Sequence, residues 1–378
     1  MSGAGTVGRE PEAVVLGAGI AGCCVALALR ALGVSVALVE RNGPGGRATR
    51  ASAGMLAAQY ESAAGTPLFR LAVEGRLRYP AFVERLESLS GRRVGWRVRG
   101  MLVANADPAM SAEADAAAVR QREAGLRAET LPGEEAARLQ PGLQTGVDSW
   151  LWLPDEAQVD ARELAEALGE AVARAGVRVA AGCEAAGIAE RSGRVRGVVL
   201  SDGTRFEARR VVVACGAWSG SLDGLPRPLP VRPIRGQVLR LPSPEPPVRR
   251  LVADHRGHYL VPCADGTLLA GSTMEDAGFD ATTSEEGVAA ILEAVAALFP
   301  AVRGARPLEE WAGLRPMAED DLPVLGPDPE MEGLLYATGY GRNGILVAPL
   351  AGEAVARLAL DREPELEWRA FRPDRFGD

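Results

Sequence analysis

The sequence predicts an α/β fold in which one parallel-sheet domain is assembled from several chain segments and a second domain is inserted in two pieces. Residues 13–40 form a β-α-β unit, because the apolar runs AVVLG and VSVALVE flank a glycine turn and a helix-length apolar segment. The run VVVACGAW at 211–218 is typical of a buried strand in a parallel sheet. Further on, LLYAT again precedes a glycine turn and a helix, which returns the chain to the first domain.

Local signals place the other elements. Gly33 ends the first helix, and Asp160 is the N-cap of a helix that closes at Gly176. Residues 80–150, rich in Ala, Arg and Glu, predict two amphipathic helices around a strand near 100–104. The remaining predicted elements are strands at 177–180, on both sides of the Asp-Gly turn 202–203, at HYLVP and at TLLAGST, and helices from about 284 to 299 and up to about 360.

A proline-rich stretch, residues 225–247, predicts a crossing between the two domains. We therefore assign residues 10–80, 150–225 and 311–370 to the parallel-sheet domain, and residues 81–149 and 226–310 to the inserted domain. The first nine residues are polar and Gly-rich and are expected to be disordered.

The amino-acid composition argues against several classes of protein and of active site. The 378 residues are 47% hydrophobic and 24% charged, as in a folded protein, and the net charge of −8 argues against a nucleic-acid binder. All 42 basic residues are arginine, which excludes a pyridoxal Schiff base and a Walker A lysine. Two histidines, His255 and His258, and the absence of a C-x-x-C motif argue against a metal site. The reaction is therefore expected to depend on an organic cofactor.

Cysteine usage indicates the compartment. The five cysteines are odd in number and most stand inside apolar runs, as expected of reduced core residues in an intracellular protein. The longest uncharged run, residues 13–29, is interrupted by glycines and is shorter than the about 20 residues that a membrane span needs. We expect a cytoplasmic protein without a membrane span.

The pattern G-x-G-x-x-G occurs three times, and its context distinguishes the three copies. The copy at residues 3–8 has no strand before it and is interpreted as a flexible tail. The copy at residues 17–22 lies inside the β-α-β unit, where it is typical of a Rossmann-like dinucleotide site. The copy at residues 339–344 lies between a strand and a helix, but no convincing strand pattern follows. Its helix N-terminus either faces the pyrimidine edge of a flavin or belongs to a plain packing turn.

The second copy carries the dinucleotide prediction. Gly17 allows a tight turn, Gly19 lets the backbone approach a pyrophosphate, and Gly22 lets the helix pack closely on the strand. Glu40 ends the next strand, where its carboxylate can accept hydrogen bonds from ribose hydroxyls. This favours FAD or NAD over NADP, and the alternative is that Glu40 merely caps the strand.

Two arginines stand in Gly/Pro-rich turns rather than on charged helix faces: Arg315 in WAGLRP and Arg342 in GYGRNGI. A guanidinium among apolar neighbours is costly to bury without an anion, and its fork matches a carboxylate. Tyr259 is either a core tyrosine or a hydroxyl donor to the same carboxylate. The sequence therefore predicts a carboxylate-binding site.

Six stretches together resemble the glycine oxidases, which belong to the D-amino-acid oxidase group of FAD-dependent amine oxidases. They are VVLGAGIAG with LVER, GGRATRASAGML, VVVACGAWS, VRPIRGQVL, WAGLRP and GYGRNGILVAP, in order from about residue 12 to 375. The resemblance implies a Rossmann-like FAD-binding domain with an inserted substrate domain built on an antiparallel sheet, which is α/β in class and α+β overall.

The resemblance also implies the site residues. Arg315 would bind the substrate carboxylate, with Arg342 and Tyr259 as further contacts, while Met274 is either a pocket residue or part of the core. FAD contacts are expected at the glycines of residues 17–22 and at the positions that match the family. They are Gly17, Gly19, Ile20, Ala21, Gly22, Glu40, Arg41, Ala48, Thr49, Ala53, Gly54, Met55, Ala185, Gly339, Tyr340, Gly341, Arg342, Asn343, Gly344, Ile345 and Leu346.

The implied reaction is oxidation of the C–N bond of glycine or an N-substituted glycine such as sarcosine. Hydride transfer to FAD would give an imine, hydrolysis would give glyoxylate and an amine or ammonia, and O2 would be reduced to H2O2. D-amino acids remain alternative substrates, and both thiamine supply and secondary metabolism stay open as pathways. Relatives are often homotetramers, so a homo-oligomer is expected.

Two departures from related families matter. Monomeric sarcosine oxidases attach FAD through a cysteine in the region of residues 312–322 and use a lysine to activate oxygen, and this chain has neither, so noncovalent FAD is expected. The segment LAAQYESAAGTPLF, expected to border the pocket, diverges, and so does the loop DHRGHY. These departures leave the identity of the amine undecided.

Three alternative functions stay open. They are an FAD-dependent D-amino-acid dehydrogenase with an acceptor other than O2, an NAD-dependent dehydrogenase, and an FAD-binding sensor or scaffold without catalysis.

Overall fold

A computed structural model describes residues 10–377. The predictions for the first nine residues, including the tail interpretation of the first glycine motif, lie outside the described residues. Within the described part, the helices are Ile20–Ala31, Arg47–Ala51, Pro67–Ser90, Pro108–Glu123, Gly133–Leu139, Ala161–Arg174, Glu285–Leu298 and Gly344–Leu358. Short 3-10 helices occur at Gly216–Ser221, Pro300–Val302, Arg369–Phe371 and Pro373–Phe376.

A six-stranded sheet carries the predicted β-α-β unit. From edge to edge its strands are Val324–Pro327, Leu334–Thr338, Arg210–Val213, Ala13–Leu16, Val36–Glu40 and Arg178–Ala181. All neighbouring pairs are parallel except the first, which is antiparallel. The predicted α/β class is confirmed, because the buried apolar runs identified in the sequence are the central strands of this sheet.

Four helices cover one face of this sheet. The helices Ile20–Ala31, Pro67–Ser90, Ala161–Arg174 and Gly344–Leu358 contribute most of the apolar side chains that pack there. The first ends as predicted, with Gly33 at a positive φ of 84° just beyond its last turn. The third begins as predicted at Asp160, whose carboxylate accepts from two first-turn amides.

A small antiparallel sheet covers the other face. Its strands are Ala185–Glu190, Val195–Leu200 and Arg205–Glu207. Their apolar side chains pack against the alternate residues of the central strands, such as Val14 and Val213. Alternating burial on the two sides explains why the central strands are continuously apolar in sequence.

The second large sheet has eight strands. From edge to edge its strands are Glu309–Ala318, Val231–Leu241, Leu268–Gly271, Tyr259–Pro262, Leu251–Asp254, Met101–Asn105, Ser149–Leu153 and Glu129–Pro132. It is antiparallel apart from one parallel pair in its middle, Leu251–Asp254 with Met101–Asn105. The helix Glu285–Leu298 packs on one face of it. A fourth, minor sheet joins Met55–Leu56, Ala157–Gln158 and Arg97–Val98.

The proline-rich stretch carries the chain from one large sheet to the other, but it also contains a long strand that the sequence analysis did not predict. Its prolines cluster on either side of Val231–Leu241, which leaves only Pro233 inside an eleven-residue strand. That strand pairs along ten residues with Glu309–Ala318. Pro233 lies opposite Pro316, so the backbone N–H donors that the two prolines lack are missing at a single position of the strand pair.

Candidate active site

One cavity lies between the two large sheets. It is lined by residues that follow the carboxyl ends of parallel strands, among them Gly17, Glu40 and Ala214, and by residues of the eight-stranded sheet, among them Tyr259 and Arg315. Ligands of open parallel sheets bind at this edge of the strands. The predicted dinucleotide turn and the predicted carboxylate site therefore meet in the same cavity.

The glycine turn at residues 17–22 contains three glycines, and each position has a different relation to its surroundings. Gly17 has a φ of 95°, and a Cβ there would lie 2.4 Å from the Ala214 carbonyl oxygen. A Cβ on Gly22 would lie 1.8 Å from the Gly17 carbonyl oxygen, so the helix can approach the strand only with glycine. A Cβ on Gly19 would meet nothing closer than Thr49 Oγ1 at 3.7 Å. Gly19 is thus not required by protein packing, and its open side lies on the cavity.

The N-terminus of the helix Ile20–Ala31 belongs to the same wall. The Ile20 amide donates to Thr49 Oγ1 at 3.1 Å, and both Ile20 and Ala21 line the cavity. The unpaired amides and the helix dipole give this end partial positive charge, which suits a pyrophosphate.

Glu40 is fixed at the end of its strand by two backbone amides. Its Oε2 accepts from the Ala18 amide at 2.8 Å and its Oε1 from the Asn42 amide at 3.0 Å. The carboxylate lines the cavity next to Arg41, which pairs with Glu184 at 3.2 Å and lies 3.9 Å from the Trp218 ring centroid. A carboxylate held in this way keeps lone pairs for ribose hydroxyls.

The glycine turn at residues 339–344 brings another helix to the cavity. Asn343 precedes the helix Gly344–Leu358, and its buried Oδ1 has no hydrogen-bond partner among the described residues. A buried orphan acceptor on a cavity wall requires a donor from a bound group. The Gly341 amide donates to the Pro316 carbonyl at 2.9 Å, which ties this turn to the strand that carries Arg315.

These features fit FAD. Two helix N-termini, a fixed carboxylate and an orphan acceptor match a pyrophosphate, a ribose and a flavin ring edge. Most of the predicted FAD contacts line the cavity: Gly17, Gly19, Ile20, Ala21, Glu40, Arg41, Ala48, Thr49, Ala53, Gly54, Met55, Ala185, Tyr340, Gly341, Arg342, Asn343, Gly344 and Ile345. Gly22, Gly339 and Leu346 lie outside this lining, in the packing behind the two turns.

The Arg315 side chain crosses the neighbouring strand and lines the cavity. It can do so because a glycine on that strand leaves space for the guanidinium. Its Nη1 donates to the Thr273 carbonyl at 3.0 Å and its Nη2 to Ser272 Oγ at 2.7 Å. A Cβ on Gly236 would lie 2.2 Å from Nη1, so the neighbouring strand needs glycine there. Burial lowers the pKa of Arg315, and no carboxylate of the described residues forms an ion pair with it. Arg315 is therefore a partly buried cation that lacks a carboxylate partner among the described residues.

Tyr259 lies beside this cation. Its side chain is buried, and its hydroxyl lies over Gly271, where a Cβ would be 2.6 Å away. Burial raises the pKa of Tyr259, although the Arg315 charge and a hydrogen bond with Ser272 oppose this. The hydroxyl consequently stays protonated at neutral pH and can donate to a bound anion.

Arg342 already has an anionic partner. Its Nε lies 2.9 Å from Glu61 Oε2 and its Nη2 donates to Glu61 Oε1 at 3.1 Å, which is a bidentate pair. Burial raises the pKa of Glu61, and Arg342 opposes this. Burial lowers the pKa of Arg342, but Glu61, Tyr60 and Tyr259 together outweigh burial and the net direction is upward. The two predicted arginines are thus unequal, since Arg315 lacks a carboxylate partner and Arg342 has one.

Sequence reasoning missed Glu61. It stands in the divergent segment LAAQYESAAGTPLF, which was expected to border the pocket, and an acidic residue among small and apolar neighbours was the available signal. Met274, by contrast, is 49% exposed and lies outside the cavity lining. Of the two histidines, His258 binds Asp254 with Nδ1 2.8 Å from Oδ2, and His255 Nε2 lies 2.8 Å from Asn105 Oδ1.

Within residues 10–377, no group of three or more His, Cys, Asp or Glu side chains is arranged to hold a metal ion. The helices in that range include none with the length and apolar character of a membrane span.

Comparisons with known proteins point to the same cofactor. The family model described as FAD dependent oxidoreductase (DAO) matches residues 12–358. The glycine oxidase of Geobacillus kaustophilus is 32% identical over 362 residues, which is 95% of this chain and 96% of that protein. A solved structure of glycine oxidase from Geobacillus kaustophilus has a TM-score of 0.92 and 32% identity, and the match covers 97% of this chain and 99% of that one.

A fusion protein is also similar. The bifunctional protein ThiO/ThiG of Synechocystis sp. is 34% identical over 372 residues, which is 97% of this chain. The match covers 54% of the fusion protein, so this chain spans about half of its length.

Proposed function

The chain belongs to the family of FAD-dependent oxidoreductases that includes the D-amino-acid and glycine oxidases, and on this premise we propose that it oxidises the C–N bond of glycine or of an N-substituted glycine. The amino acid, O2 and water would give glyoxylate, ammonia or an amine, and H2O2. This proposal follows the similarity to glycine oxidases and leaves the NAD-dependent alternative without support, since the family uses FAD.

The observation that carries the proposal is the partly buried Arg315 guanidinium, which lies in the same cavity as the dinucleotide turn and has no carboxylate partner among the described residues. A substrate carboxylate would supply the missing anion through charge-assisted hydrogen bonds. The Tyr259 hydroxyl would donate to the same carboxylate. A small amino acid is therefore held by its acid end.

FAD, when bound, supplies the acceptor for a hydride from the substrate carbon. The residues that would hold it are those of the two glycine turns, with Glu40 at the ribose and Asn343 at the flavin ring. Noncovalent binding is supported by the absence of cysteine from residues 312–322.

The chain's own contribution is to bind and to orient. Arg315 is held by two acceptors on the segment that follows the strand Leu268–Gly271, so its position does not depend on the substrate. Fixing the carboxylate restricts the substrate to few orientations, and such positioning contributes several kcal/mol, on the order of 7–11 in well-oriented systems. No protein base is assigned, because an amine that binds unprotonated needs none.

The test is anaerobic titration of the purified flavoprotein. We expect glycine or an N-alkylglycine to bleach the flavin absorbance, and expect air to restore it with formation of H2O2 and glyoxylate. If no small amino acid bleaches the flavin, the proposal is wrong and a binding or sensing role remains. Bleaching without peroxide on exposure to air would instead indicate a dehydrogenase.

A further inference from the structure

Glu61 lines the substrate end of the cavity, which we define by Glu61, Tyr259, Ser272, Arg315 and Arg342. The Glu61 side chain is only 9% exposed, and both of its oxygens contact the Arg342 guanidinium. The reaction proposed above assigns no role to this carboxylate. Its position nevertheless determines how much positive charge a substrate meets.

The charge balance of the substrate end is simple. Arg315 and Arg342 are cations, Glu61 is an anion when paired, and Tyr259 is neutral, which leaves one net positive charge. The pKa of Arg315 is sensitive to Glu61, Arg342 and Tyr259, so these groups interact electrostatically. One net positive charge matches a substrate with one carboxylate and a neutral amine.

The Glu61–Arg342 pair is held from several sides. The Arg342 guanidinium lies 6.0 Å from the Tyr60 ring centroid, and a Cβ on Gly257 would lie 2.9 Å from Arg342 Nη1. The Tyr60 hydroxyl donates to the Asp254 carbonyl at 2.6 Å, and the Glu61 amide donates to the Ala57 carbonyl at 3.0 Å. The first two contacts confine the Arg342 guanidinium, and the last two fix the backbone from which the Glu61 side chain extends.

We propose that Glu61 is a specificity-determining residue. By occupying Arg342, it makes the cavity accept glycines whose nitrogen carries hydrogen or a neutral substituent, and reject those whose N-substituent carries a second acid group. This inference rests on the proposed function, because it takes Arg315 as the partner of the amino acid's own carboxylate.

The physical reason is competition for Arg342. A second carboxylate could bind that fork only by displacing Glu61, which would leave a buried carboxylate without its cation. Without displacement, two substrate anions would face a site with only one net positive charge. Replacing Glu61 with Gln removes the competing anion and frees Arg342 for a bidentate pair.

The test uses carboxylates that contain no C–N bond, so that binding is measured without turnover. Methoxyacetate has the shape of sarcosine, diglycolate that of a glycine with an N-carboxymethyl group, and the monoamide of diglycolate is its isostere with one negative charge. Each is titrated calorimetrically into the FAD-loaded protein. We expect the wild type to bind the monoamide more tightly than diglycolate. We expect Glu61→Gln to shift the ratio toward diglycolate by about tenfold or more.

Two controls keep the test decisive. The double variant Glu61→Gln/Arg342→Leu should lose the gain for diglycolate, because Arg342 is the group that would bind the second carboxylate. FAD content and melting temperature show whether each variant is folded. The comparison of diglycolate with its monoamide in the wild type does not depend on the folding of any variant.

Three outcomes are informative. Equal binding of diglycolate and its monoamide by the wild type would overturn the inference, as would an unchanged ratio in Glu61→Gln. Failure of every amino acid to bleach the flavin would contradict the proposed function, while these binding ratios would still test the role of Glu61.

Discussion

Arg76 and Glu156 form a buried ion pair behind the wall that carries Glu61, with 3.1 Å between Nη1 and Oε2. The Glu156 carboxylate also accepts from the amides of Ala58 and Gln59, at 3.0 and 2.6 Å. Arg76 donates in addition to the Gln59 side chain at 2.7 Å. One buried carboxylate thus connects the helix Pro67–Ser90 to the segment that leads into the substrate end.

Glu156→Gln should destabilise the fold, because it leaves the buried Arg76 cation without its anion. We expect a loss of about 3–5 kcal/mol in the free energy of unfolding, measured by urea denaturation. The double variant Arg76→Met/Glu156→Leu should recover most of this loss, since it removes both charges. A double variant that is less stable than Glu156→Gln would contradict this explanation.

Arg315→Ala should abolish most of the activity without loss of cofactor. We expect a decrease of about 2–5 kcal/mol in transition-state stabilisation, taken from kcat/KM with glycine or sarcosine, because the substrate carboxylate loses its cation. FAD content should stay near the wild-type value. Activity within a few-fold of the wild type would show that Arg315 is not the anchor.

Tyr259→Phe should have a smaller effect than the change at Arg315. The variant keeps the buried ring and removes one neutral donor, which is worth about 1 kcal/mol. We expect KM to rise more than kcat falls, measured in steady-state kinetics. A larger loss than that of Arg315→Ala would assign the main carboxylate contact to the hydroxyl instead.

Gly19→Ala and Gly22→Ala form a matched pair that separates cofactor binding from packing. A Cβ on Gly19 meets only Thr49 Oγ1 at 3.7 Å, so this variant should fold normally and bind FAD about tenfold more weakly or worse. A Cβ on Gly22 would lie 1.8 Å from a carbonyl oxygen, so this variant should lose about 1–3 kcal/mol of stability. FAD titration of the apoprotein and thermal unfolding measure the two effects. Normal FAD affinity in Gly19→Ala would contradict the role of that turn.

Asp254 should contribute stability that depends on pH. Burial favours its neutral form, but hydrogen bonds from the His258 side chain and from backbone amides outweigh burial, so the pKa of Asp254 lies below its usual range. Its carboxylate therefore stabilises the fold above the unfolded-state pKa of about 4, and this contribution is lost as pH falls through the lower folded-state value.

Asp254→Asn tests this prediction. We expect the variant to be less stable than the wild type by about 1 kcal/mol at pH 7, and expect the difference to shrink as pH falls below about 4. Urea denaturation at a series of pH values measures it. A difference that grows toward low pH would have the wrong sign.

The sequence predicted those parts of the molecule whose physics is local. The β-α-β unit could be predicted because strand, turn and helix are consecutive, and because Gly17 and Gly22 are needed by contacts within that unit or with the adjacent strand. Asp160 could be assigned as an N-cap because its acceptor role concerns the next two or three residues. The strand Val231–Leu241 was missed because its flanking prolines dominate the local pattern.

The contacts that decide the substrate end are distant in sequence. Glu61 and Arg342 are separated by 281 positions, and nothing in the segment around Glu61 identifies its partner. Arg315 also depends on a residue that is distant in sequence, because its guanidinium occupies the space that a side chain at Gly236 of the neighbouring strand would fill. Residue type and setting suggested that both arginines bind a carboxylate, and only the fold distinguishes the one that already has a partner.

The backbone hydrogen bond from Gly341 to Pro316 joins the turn beside the expected flavin ring to the strand of the substrate anchor. Both groups are main-chain atoms, and a bridge between Met317 and Tyr340 reinforces them. In the proposed reaction, the distance between the substrate carbon and the flavin is consequently set by the polypeptide itself. Side chains around the pocket can diverge, and the choice of amine can change with them, while that distance is preserved.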